Sequence, residues 1–158
     1  MPEVFFELLG DDFEVDAAIA GSSLCECARV QRRGEAMPSE GGKVYETSGL
    51  QICLGDDEDA GLEQQVAEAI SFLEDEAAEI CRLRSLPGVQ VARLRFGAFW
   101  SEDTGAKFSS FPSGLLLKCG ELGLDIVLCE YWGARSRCQQ RTTEPNGPAN
   151  GSQPFRSE

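Results

Sequence analysis

Residues 62 to 83 read LEQQVAEAISFLEDEAAEICRL, and within them Leu62, Val66, Ala69, Ile70, Leu73, Ala77, Ile80 and Leu83 recur at helical spacing. Apolar side chains three and four residues apart fall on one stripe of an α-helix, so this stretch predicts a long amphipathic helix lying on a core. Glu76 projects close to the stripe, which leaves open a break near Leu73 to Asp75 that would give two shorter helices. Pro87-Gly88 ends the helical stretch, since proline cannot continue a helix and glycine accepts the turn that follows.

The flanking segments have the two-residue period of strands. Before the helix, Leu24 to Arg32 and Lys43 to Leu54 alternate, and the polar stretch Arg33 to Gly42, with Pro38 and Gly41-Gly42, reads as the loop of a hairpin. Glu3 to Leu9 is apolar on both phases, as in a central strand covered on both sides, and Glu14 to Ala20 follows as a short helix ended by Gly21. After the helix, Val89 to Trp100 is a long strand whose phase changes near Ala92-Arg93, which predicts a bulge. Ser101 to Ser110 reads as a polar loop, Pro112 to Leu122 as a helix closed by Gly123, and Leu124 to Tyr131 as a final strand. The expected fold is α+β: a ferredoxin-like βαββαβ core with an antiparallel sheet, extended by a further short helix and strand.

Composition sets the domain organisation. Four arginines (Arg135, Arg137, Arg141, Arg156) against Glu144 and Glu158 make residues 133–158 weakly basic, and their Pro, Gly, Asn, Gln and Ser content supplies too little apolar surface to order them. The expectation is one α+β domain over residues 1–132 followed by a disordered tail. The chain carries 27 acidic and 14 basic side chains and no histidine, a formal charge of -13. Without imidazole it lacks the usual general base and metal ligand, and such a charge repels nucleic acid and anionic lipid. Neither a signal peptide nor a membrane span is legible at the start, where Glu3 and Glu7 interrupt the apolar run, so the expected location is the cytoplasm.

Several clusters invite a chemical reading. A hairpin centred on Pro38-Ser39 would set Cys25 opposite Cys53 with Cys27 on the same face, but three thiols without histidine fall short of a usual zinc site, so buried, reduced cysteines are expected and no cofactor is assigned. The run Asp56, Asp57, Glu58, Asp59 lacks the alternating ligands and distal glutamate of a calcium loop and suits the positive end of the helix that follows. Glu68, Asp75 and Glu79 fall on the helix strip opposite its apolar face. These seven carboxylates form the expected partner surface, one that would draw in a basic protein. Phe96, Phe99 and Trp100 beside Arg93 and Arg95 resemble a base-stacking strand, which the charge of the body argues against. No phosphate-binding glycine motif occurs, and no nucleophile is paired with a base.

The Phe5-Phe6 strand, Arg33-Gly34-Glu35, the helix start Leu62-Glu63-Gln64-Gln65-Val66 and the closing Leu124-Asp125-Ile126-Val127 to Tyr131-Trp132 together resemble the bacterial domain of unknown function 4279 (DUF4279) family over residues 4 to 132. A proline and a tryptophan of that pattern are absent around the hairpin, with Tyr45 in the tryptophan's place. The resemblance implies a bacterial cytosolic protein and carries over no catalytic residue. The function expected is a non-enzymatic protein-binding domain, an immunity-like antagonist of a basic partner being one such role. The alternative is a small-ligand-binding domain or an enzyme using a carboxylate or cysteine in a cleft between sheet and helices; self-association through an open sheet edge is a third possibility.

Overall fold

A computed structural model describes residues 3–22, 24, 28–38, 41–55, 57, 60–98 and 109–131, together with the backbone of 99, 100 and 132. Its elements run β1 (Val4–Gly10), α1 (Val15–Ala20), β2 (Arg29–Gln31), β3 (Ser48–Cys53), α2 (Leu62–Asp75), α3 (Ala77–Arg84), β4 (Val91–Trp100), α4 (Ser113–Leu122) and β5 (Asp125–Trp132). The chain is α+β, with the five strands in one open sheet of order β2-β3-β1-β4-β5. The tail expected at 133–158, most of the loop expected at Ser101 to Ser110, and Cys25 and Cys27 lie outside the described residues.

β1 is central. It lies antiparallel to β3 on one side (Phe6 opposite Ile52, Leu8 opposite Leu50) and to β4 on the other (Phe6 opposite Leu94, Leu8 opposite Ala92). Strand side chains alternate between faces, so Val4, Phe6 and Leu8 share one face with Leu50, Ile52, Ala92, Leu94 and Phe96. That face meets residues of all four helices, including Ala18, Leu73, Ile80, Leu83 and Leu115, in one buried core. The other face of the sheet carries Phe5, Glu7 and Leu9.

Four expectations need correction. The sheet is mixed rather than antiparallel, because β5 runs parallel to β4, with Leu94 opposite Ile126 and Phe96 opposite Leu128. The link between them is α4, and a helical crossover returns the chain in the same direction. The long helix is two: Glu76, at φ -114° and ψ 16°, leaves the helical region and separates α2 from α3, one residue past the span where a break was left open. No bulge interrupts β4 against β1, since pairing runs unbroken from Val4 opposite Phe96 to Leu9 opposite Val91. Val91 belongs to the phase of Arg93 and Arg95, beside Leu9 on the helix-free face; Val89 lies before the strand. The hairpin register is two residues away from that expected, with Arg29 opposite Gln51 and Val30 opposite Leu50. A two-residue slip preserves which face each side chain takes, so the alternation remained readable although the pairing did not.

Where β1 leads out of the sheet, two glycines let the backbone pass at close range. A Cβ on Gly10 would run into the Gly88 carbonyl, and one on Gly88, which sits at φ +83°, would meet the Asp12 carbonyl. Gly10→Ala is expected to destabilise the fold by roughly 2 kcal/mol through this overpacking, measured as a lower urea midpoint at unchanged m-value; an unchanged midpoint would show that the approach relaxes freely.

Candidate functional site

The helix-free face is organised by a buried carboxylate. Glu7 sits mid-strand in β1, between Gln51 of β3 and Arg93 of β4. Its side chain is 7% exposed and takes both flanking arginines, Arg93 Nε donating to Oε2 at 2.7 Å and Arg95 Nε to Oε1 at 2.7 Å. Gln51 Nε2 donates to the same Oε1 at 2.6 Å. Burial on its own pushes this carboxyl up, but the hydrogen bonds from Arg95, Arg93 and Gln51 and the charge of Arg95 outweigh it, and the pKa is held below its ordinary value. A general acid or base working near neutrality needs the opposite shift. The Arg95 guanidinium also lies 4.6 Å over the Phe5 ring and donates from Nη1 to the Tyr131 hydroxyl at 3.4 Å. Arg29 covers the same ring at 5.9 Å. The arginine stems and heads thus bury Phe5 without a helix on this side.

Sequence reasoning missed this network. The signal was there: a glutamate inside a strand apolar on both phases must find cations, and Arg93 and Arg95 alternate with core residues three strands later. The same arginines were weighed with Phe96, Phe99 and Trp100 as a base-stacking strand. Phe96 instead points into the core, fully buried and 5.0 Å from the Phe111 ring, so it offers no stacking surface. The side chains of Phe99 and Trp100 are outside the described residues.

The expected partner surface is only partly assembled. Asp56, Glu58 and Asp59 lie outside the described residues, and Asp57 is exposed. Glu68 and Asp75 are seven residues apart on α2 and share a stripe. Glu68 is half-buried, accepts from Gln64 Nε2 at 3.1 Å and lies against the Gly55 backbone, while Asp75 is exposed and accepts from Ser71 Oγ at 3.3 Å. Glu79 belongs to α3 and is clamped by Arg82, whose Nη2 and Nε reach its two oxygens at 2.7 and 2.8 Å. The Arg82 contacts lead, with the nearby Ser22 hydroxyl second, in bringing its pKa down to about 2. Arg82→Ala is expected to raise the Glu79 titration toward the ordinary carboxylate range, read from its side-chain carboxyl NMR shift; a titration unchanged at about 2 would assign the effect elsewhere. Exposed Glu63 and Glu74 lie on a separate flank of α2, Glu74 in a surface pair with Lys118 at 2.9 Å.

The cysteines depart from expectation. Of the four described, only Cys119 is buried, and burial pushes its thiol to about 11. Cys53 and Cys81 are exposed and Cys129 is half-buried. Cys53 lies opposite Phe5 of β1, and its convergence with Cys25 and Cys27 involves residues outside those described. Among the described residues no group of three cysteine or carboxylate side chains is placed to hold a metal ion. No described helix is long and apolar enough to cross a membrane.

A hollow of about 240 Å³ opens beside Glu7, lined by Leu9, Arg29, Gln31, Tyr45 and Gln51 among others. Comparisons with protein-family models, with curated proteins and with solved structures found no match to this chain.

Proposed function

We propose that this chain is a non-enzymatic, cytoplasmic protein-binding domain that receives a basic partner on its acidic helical layer, in the manner of an immunity protein. The observation that carries the reading is the distribution of charge on α2, α3 and the Glu76 junction between them, where Glu63, Glu68, Glu74, Asp75, Glu76 and Glu79 stand against only Arg82 and Arg84. Carboxylates on an exposed helical surface speed the encounter with a cationic protein and select against anionic ones. Glu7 argues against the enzymatic alternative, because its pKa is lowered and its oxygens are committed to arginines. For the architecture we propose the ferredoxin-like plan over the first four strands, with kinship to the family the sequence resembles. Its support is that β1 lies antiparallel between β3 and β4 while β2 continues the sheet from β3. Immobilised protein is expected to capture a basic protein from its host at ~50 mM salt and to release it at ~0.5 M, where surface charges are screened within a few ångströms. Recovery of no salt-sensitive partner would count against the proposal.

A further inference from the structure

We propose that the hollow of the helix-free face binds a small organic acid whose carboxylate pairs with Arg29 and whose neighbouring N–H reaches the Gln31 amide oxygen. The inference is independent of the acidic helical layer, which lies across the sheet.

Six lining side chains make the case. Glu7, at the edge of the hollow, has its charge matched by Arg93 and Arg95, so it leaves little negative field to oppose an anion there. Among the described residues Arg29 is the one cation that lines the hollow; it is exposed, and its guanidinium is placed 5.9 Å from the Phe5 ring centroid. A guanidinium fixed over a ring presents its remaining N–H fork to a planar carboxylate with less freedom to lose on binding. The Gln31 amide nitrogen is committed, and so is one N–H of Gln51. Gln31 Nε2 donates to the Thr47 carbonyl at 3.1 Å and to Thr47 Oγ1 at 3.3 Å, and Gln51 Nε2 donates to Glu7. Each keeps its amide oxygen as an acceptor, and Gln51 keeps one further N–H. Tyr45 adds a hydroxyl and Leu9 an apolar wall. One cation beside two acceptors matches a carboxylate carried close to an N–H group, as in an N-acylated amino acid. A phosphate fits less well, since its oxygens would face the Gln31 acceptor. The volume, about 240 Å³, is below that of sites for drug-sized ligands and fits a molecule of this size.

The test is a titration of the full chain, ¹⁵N-labelled, with N-acetylglycine and separately with inorganic phosphate, following the arginine Nε–H and glutamine side-chain amide signals. N-acetylglycine should move Arg29, Gln31 and Gln51 along one saturating curve. Arg29→Ala should weaken binding by roughly tenfold, the loss of one charge-assisted pair, Arg29→Lys should keep part of it, and Arg84→Ala should leave it unchanged. Shifts of equal size at Arg33 and Arg84, no saturation, or an Arg29→Ala variant that binds like the parent would overturn the proposal. So would phosphate binding as tightly as N-acetylglycine, because the assignment rests on the carboxylate and its neighbouring N–H.

Discussion

Replacing Glu7 by glutamine is expected to lower the stability of the fold by about 3 kcal/mol at neutral pH, the usual cost of removing one partner from a buried ion pair. Two arginines, 30% and 19% exposed at their side chains, would then face each other across a neutral group. The pH dependence has a definite sign. The carboxyl titrates lower in the folded chain than its ordinary value of 4.5, so its contribution is complete above that value and is lost as the pH falls through the folded one. The difference between parent and Glu7→Gln should therefore be constant from neutrality down to about pH 5 and shrink in stronger acid. Urea unfolding at several pH values measures it. A gap that widens in acid would mean the carboxyl is not the stabilised form. Replacing Glu7, Arg93 and Arg95 together by valine should recover much of the loss, because no charge is then left buried without its partner.

The second large effect is expected at Gln65, which is fully buried on the core side of α2. Its Nε2 donates to the carbonyls of Ala60 and Gly97, both at 2.9 Å, and its Oε1 accepts from the Gly97 N–H at 3.1 Å. The reason lies in the sheet. β1 begins at Val4 opposite Phe96, so β4 runs on past the start of its neighbour, and at Gly97 the side-chain amide stands in for a missing strand. The Gly97 N–H also reaches the Glu3 carbonyl at 3.2 Å, which leaves its own carbonyl the more dependent on Gln65. Gln65→Leu keeps the volume and strands two buried carbonyls. A loss of about 3 kcal/mol is expected from their unmet hydrogen bonds, together with faster amide exchange at the α2 start and around Gly97. Wild-type stability in Gln65→Leu would mean that another group satisfies these carbonyls.

Glu7 and Gln65 also mark where the sequence stopped being legible. Alternation and helical spacing are local, so every strand and helix had a readable origin, and β1 could be placed at the centre from its two apolar phases alone. Polar residues at core positions announce only that partners exist. Gln65 stands three residues after Leu62, on the buried side, but its partner is backbone at Gly97, exposed by the unequal lengths of two strands. The direction of β5 and the two-residue shift of the hairpin likewise depend on pairing between distant segments, to which side-chain periodicity is blind. The break at Glu76 was half visible, as a charge encroaching on the apolar stripe. The acidic surface was visible as composition, whereas its local neutralisation, Glu79 by Arg82 and Glu74 by Lys118, required coordinates.

The central claim, recognition through the acidic helical layer, is tested most directly by the association rate with the captured basic partner as a function of ionic strength. The variant Glu63→Lys/Glu68→Lys/Asp75→Lys should associate at least tenfold more slowly at low salt and converge toward the parent as salt screens the surface. Arg84→Ala, which only makes the layer more acidic, should associate no more slowly than the parent. An association rate that ignores the three reversals, or that has the same salt dependence with and without them, would contradict the account.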